Sequence, residues 1–156
     1  MTLGISTNTR LLGLAIINHG ELEEYKMYLH KSPWSAWKAN AIVTSLEPCV
    51  RQYCIKRVVL SIPHVYHQTK EFRHLIRRLK KYFEAQAIPV YEESVATIYS
   101  LCPSEHKKTK KTLMGVLTAL YPHLTLCYRK ELQNKNKYYI KVFEAAGAAT
   151  VHHQNQ

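Results

Sequence analysis

The sequence predicts a mixed α/β fold: a five-stranded sheet in which an antiparallel meander is followed by parallel strands, with helices on both faces. Three observations carry this expectation. Residues 2–7, 10–18 and 21–29 read as three consecutive strands, with His19-Gly20 as a tight hairpin turn between the second and third. Two later short apolar runs, "KRVVLSIP" and "AIPVYEE", each follow a stretch of helical periodicity, the pattern of α-linked parallel strands. At 156 residues and 46% hydrophobic content, the chain can bury one sheet-and-helix core.

The elements follow in order. "LLGLAII" is apolar and β-branched, as a buried strand requires, while the third strand alternates imperfectly, Leu22, Glu24 and Lys26 against Tyr25, Met27 and Leu29. Ser32-Pro33 supplies an N-cap and a first-turn proline for a helix whose apolar face is Ala39, Ile42, Val43, Leu46, Val50 and Tyr53; Pro48 kinks this helix or ends its first half. The clearest helix spans 65–86, with a stripe of Phe72, Leu75, Ile76, Leu79 and Phe83. Helices are predicted at 93–101 and 110–121, then an irregular segment, then a last helix at 137–151. Residues 1–151 form a single domain, and 152–156 a frayed tail.

Composition narrows the function. The first strand begins almost at the N-terminus, leaving no room for a signal peptide, and no apolar run approaches the ~20 residues that cross a bilayer, so a soluble cytoplasmic protein without membrane attachment is expected. Cys49, Cys54, Cys102 and Cys127 lack zinc-site spacing and are expected to be buried free thiols; His64, His67 and His74 have no carboxylate in register for a metal. The formal net charge of +11 points to a polyanionic partner, nucleic acid before membrane.

The placement of that charge is more specific than its size. Lys107, Lys108, Lys110 and Lys111 crowd a predicted helix start, where the helix dipole disfavours cations unless an anion docks there. A solvated lysine loop is the competing explanation. Lys70, Arg73, Arg77 and Lys81 form a second stripe, either tracking a phosphate backbone or lining an ordinary solvated face. Arg129, Lys130, Lys135 and Lys137 form a third group, and eleven tyrosines are available for stacking, most of them on predicted apolar faces.

The order βββαβαβ followed by helices is the layout of the ribonuclease H-like fold. Within it the chain resembles the RuvC-type Holliday-junction resolvases along nearly its whole length. The residues that carry the resemblance are "LGISTNTRLLGLAII", "VVLSIP", "KKTKKTLMGVLTAL" and "KVFEAAGAATVHH". It implies nuclease chemistry with two magnesium ions held by four carboxylates, and it places those acids at Ser6, Ser61, Lys141 and Glu144, of which only Glu144 is acidic. A serine hydroxyl is a neutral ligand, and Lys141 brings a cation to a metal position while standing three residues from Glu144, where it can pair with it or simply form an exposed helix pair. The expected function is therefore non-catalytic binding of nucleic acid, DNA first, by a RuvC-like pseudo-nuclease with no cofactor. The resemblance also implies a homodimer. Two alternatives stand beside this reading: a magnesium-dependent endonuclease with ligands relocated to Glu92 and Glu93 or to Glu21, Glu23 and Glu24, and a dimeric protein-interaction scaffold. The actin-like ATPases share a strand-turn-strand resembling "GISTNTRLLGLA", but a second phosphate loop is absent here.

Overall fold

The computed structural model describes residues 1–135 and 137–156. Its sheet has the order β3-β2-β1-β4-β5, built from β1 (Thr2–Thr7), β2 (Leu11–Asn18), β3 (Glu21–Leu29), β4 (Arg57–Ile62) and β5 (Val90–Ser94). β1–β2 and β2–β3 are antiparallel, β1–β4 and β4–β5 parallel, so the mixed five-stranded sheet expected from the sequence is present. His19 and Gly20 turn the β2–β3 hairpin with φ of 50 and 80, the type I′ geometry that matches strand twist. The register shifts between Ile16 and Ile17, leaving Glu23 as an extra residue opposite them. That bulge puts Leu22 and Tyr25 in the same core and accounts for the broken alternation of the third strand.

Two hydrophobic cores lie on opposite faces of the sheet. One joins Leu3, Ile5 and Leu60 to α1 (Ala36–Thr44), α2 (Glu47–Gln52) and α3 (Lys70–Ala85). The other joins Ala15 and Val59 to α4 (Val95–Tyr99), α5 (Lys110–Leu120), α6 (Thr125–Gln133) and α7 (Ile140–Gln154). Helices therefore cover both faces. Among the described residues, no helix is long and apolar enough to cross a membrane.

Several boundaries differ from expectation for identifiable reasons. The cap of α1 is Ser35, whose side chain accepts from the Lys38 N–H, not Ser32. The helix does break ahead of Pro48, at Ser45 and Leu46, and Pro48 occupies the first turn of the separate α2, where a missing N–H costs nothing. α3 is preceded by a 3₁₀ turn at Val65–His67 and begins only after its Thr69 cap. Glu92 and Glu93 lie within β5, and α4 is correspondingly shorter. Cys54 is exposed, unlike the other three cysteines, because it takes φ 47 in the turn before β4. α7 continues through residues 152–154, where a frayed tail was expected, because His152 Nδ1 meets Glu93 Oε1 at 3.1 Å and Gln156 Oε1 accepts from Arg57 at 2.7 Å.

The segment read as irregular contains α6, whose purpose is visible at Glu131. This fully buried carboxylate accepts from the backbone N–H of Tyr138 at 3.0 Å and of Ile140 at 2.7 Å, capping the start of α7 from outside the helix. Anions are favoured at a helix N-terminus, so the cap combines hydrogen bonding with the dipole. Glu131→Gln is expected to destabilise the protein by about 2–4 kcal/mol, because the amide NH₂ faces one of those donors and leaves it unsatisfied in a buried setting. Urea unfolding with an unchanged slope and a lower midpoint is the expected record; an unshifted midpoint would remove the cap from the account.

Candidate functional site

The turn after β1 is closed upon itself. Asn8 Oδ1 accepts from the backbone N–H of Arg10 at 2.8 Å and of Leu11 at 2.7 Å, and Thr7 Oγ1 donates to the Leu11 carbonyl at 2.8 Å. Amides that a phosphate loop would aim at a nucleotide are already bonded within the turn.

The four positions named by the resemblance lie on one face of the sheet and on α7, which packs against that face. Gly4 and Val59 face α7 from β1 and β4, and Ser6 and Ser61 stand two residues further along the same strands, hence on the same face. The last β1–β4 pair is Ile5 with Leu60, so the two serines are neighbours just beyond it. Both are buried, and the Ser61 hydroxyl has no hydrogen-bond partner. Gly13, the register partner of Ser6, lies against the backbone of Lys141. Lys141 Nζ meets Glu144 Oε1 at 3.3 Å in a largely buried ion pair. The Glu144 charge also reaches Tyr99, whose hydroxyl is pushed up to about 12 by burial first and by that charge second.

This donor set does not fit divalent metal. It offers two neutral hydroxyls, an ammonium, and one carboxylate already paired with that ammonium, where hard cations need several anionic oxygens. All eleven acidic residues of the chain are glutamates, so no aspartate is available at any position. Among the described residues, no group of three His, Cys, Asp or Glu gathers in a way that could hold a metal ion. Of the acids weighed as substitutes, Glu92 pairs with Lys80 of α3 on the opposite face, while Glu93 stays on the α7 face beside Ser61 and is paired with His152, eight residues beyond Glu144 along α7. The Glu93–His152 pair, with Tyr91 packed 4.5 Å from the imidazole, was not expected from the sequence. Glu93 is the register partner of Ser61 across β4 and β5.

The basic groups divide between the two faces. Lys107, Lys108, Lys110 and Lys111 are exposed at the start of α5, where Thr109 Oγ1 accepts from the Thr112 N–H. α5 and α7 run side by side in the same direction, since Leu117 approaches Gly147 and the Tyr121 hydroxyl meets Thr150 Oγ1 at 2.7 Å. Lys70, Arg73, Arg77 and Lys81 are exposed along α3, behind the sheet. The structure thus puts the lysine loop and the second stripe on opposite sides of the sheet.

No family model matches the sequence, and no curated protein matches it significantly. Solved structures do match. One of RuvC from Thermus thermophilus superposes with a TM-score of 0.70 at 12% identity, covering 97% of this chain and 92% of that one. The same protein in complex with a Holliday-junction substrate gives 0.69 at 13% identity, covering 97% and 91%. The chain has the RuvC-type, ribonuclease H-like fold.

Proposed function

We propose that this protein binds nucleic acid, DNA first, through phosphate contacts at the Ser6–Glu144 end of a RuvC-like fold, without cutting it. The observation that carries this reading is the Lys141–Glu144 ion pair: the one acid at the four positions is neutralised by the chain itself. The net charge of +11 and the four lysines at the start of α5 supply the attraction for a polyanion. In this reading the protein acts as a homodimer in the cytoplasm, and sedimentation of the free and bound forms checks the stoichiometry.

The test is a titration of junction, duplex and single strand over a range of salt, with magnesium and manganese present. Affinity is expected to fall steeply with salt, with no strand cleaved. Changing Lys107, Lys108, Lys110 and Lys111 together to alanine should weaken all sequences alike and flatten the slope by roughly 0.9 per lost contact on duplex DNA. An unchanged slope would return the loop to plain solvated surface. Metal-dependent cutting, whether or not it survives Glu144→Ala, would overturn the non-catalytic reading.

A further inference from the structure

The lysine loop leaves a second concentration of charge unexplained, on the outer surface of α1 and α3. α3 carries six Lys and Arg residues against two Glu, and one of its cations, Lys80, is bonded to Glu92 of β5. Arg73, Arg77, Arg78 and Lys81 are exposed. Beside them the structure holds two tryptophans at the start of α1. Trp34 meets His74 of α3 edge-on, with ring centroids 5.9 Å apart, and Asn40 accepts a hydrogen bond from the Arg78 guanidinium. These two contacts set the segment from Trp34 to Asn40, which includes the first turn of α1, alongside α3 from His74 to Arg78. Trp37 stands between them, one turn before Asn40, and is 86% exposed.

An indole that exposed gives up the stabilisation that burial would bring, and it does so beside a row of guanidinium and ammonium groups. We propose that the α1–α3 face is a second nucleic-acid surface, specific for an unpaired strand, on which Trp37 stacks against a base while the α3 cations contact the flanking phosphates. A row of cations matches the regular charge of a phosphate backbone. Stacking selects the unpaired form, because a single strand presents the faces of its bases whereas a duplex keeps them against one another. A second copy of the chain is a poor occupant, since two α3 surfaces brought together would set like charges facing. The face lies across the sheet from α5, so both surfaces can be filled at once. This inference rests on the reading that the partner is nucleic acid, but not on the lysine loop.

The experiment measures tryptophan fluorescence and anisotropy during titration with a labelled oligothymidylate strand and, separately, with a duplex. The strand should quench the emission of the wild-type protein. Trp37→Ala should weaken strand binding by about tenfold or more, leaving duplex affinity and its salt slope unchanged. Arg77→Gln with Lys81→Gln should flatten the salt slope for the strand only. The exposure of Trp37 means the variant keeps its fold, which an unchanged melting temperature documents. If the strand binds but neither quenches nor notices the loss of Trp37, this inference is wrong while the proposed function stands. If wild-type protein binds no nucleic acid even at low salt, both fall together. If Trp37→Ala instead lowers the sedimentation coefficient of the free protein, the face is a self-association surface and the inference is overturned.

Discussion

Gly13→Ala is expected to remove most of the stability of the fold. A Cβ at this position would lie 2.3 Å from the carbonyl carbon of Lys141, 2.5 Å from its oxygen and 2.6 Å from the nitrogen of Val142. None of these atoms belongs to a flexible side chain, so the clash cannot be relieved by a rotamer change. α7 would have to rise off the sheet, opening the core that it shares with Ala15, Val59 and α5. Gly4 has the same relation to the helix one turn later, 2.0 Å from the Ala145 oxygen. Overpacking against fixed backbone belongs with the largest single-substitution effects, about 4–5 kcal/mol or more, comparable to the whole stability of a small domain. Thermal unfolding followed by circular dichroism should show no cooperative transition, or one displaced far below that of the wild type. Gly115→Ala is the control: the nearest atom there is the Tyr128 hydroxyl oxygen at 3.8 Å, and the change should be neutral or mildly stabilising in α5. A well-folded Gly13→Ala protein would mean that α7 is not seated on β2 as described.

The second large effect is expected from rebuilding the acids. Ser6→Asp, Ser61→Glu and Lys141→Asp together would set four carboxylates between α7 and the sheet face it covers, two of them on strand positions that are now buried. Crowded like charges in a poorly solvated space oppose ionisation of one another and so oppose folding. A loss of about 3 kcal/mol is expected, a fall in melting temperature on the order of 10 °C for a chain of this size. Magnesium should return much of that loss, because an ion bound only by the folded form stabilises it by about 2.7 kcal/mol at a hundredfold excess over its dissociation constant. The unaltered protein should show no magnesium-dependent shift. If the triple variant is destabilised and the ion restores nothing, the four positions do not share a site. Recovery without cleavage would establish the geometry and leave the substrate open.

The sequence made the sheet legible because buried strands announce themselves by apolar β-branched runs. It was least legible where polar groups do structural work inside the protein. α6 went unseen because one of its inward positions is Glu131, a carboxylate whose partners are backbone amides of the following helix. Periodicity in apolar residues cannot report such a contact. Pro48 announced a break in the helix after Ser32-Pro33, but not its place at Ser45 and Leu46, because the apolar spacing continues unbroken there. At the site, the i, i+3 spacing of Lys141 and Glu144 foretold their contact, since it depends on one helix alone. The pairing of Glu93 with His152 joins residues 59 positions apart, and no local pattern could announce it. Equally hidden was the division of the basic stripes between two faces, which follows from connectivity rather than from either stripe.

The contact of α7 with bare backbone at Gly4 and Gly13 also bears on which parts of this sequence are free to drift. Positions 6, 61 and 141 contribute side chains to the space between the helix and the sheet. Positions 4 and 13 contribute the absence of a side chain, and the fold requires that absence whatever chemistry the site performs. Ala149, whose Cβ meets Gly4 from the helix, is held small by the same contact. A lineage search keyed to catalytic acids would pass over this chain. One keyed to the spacing of its obligatory small residues would be searching for what the architecture cannot give up.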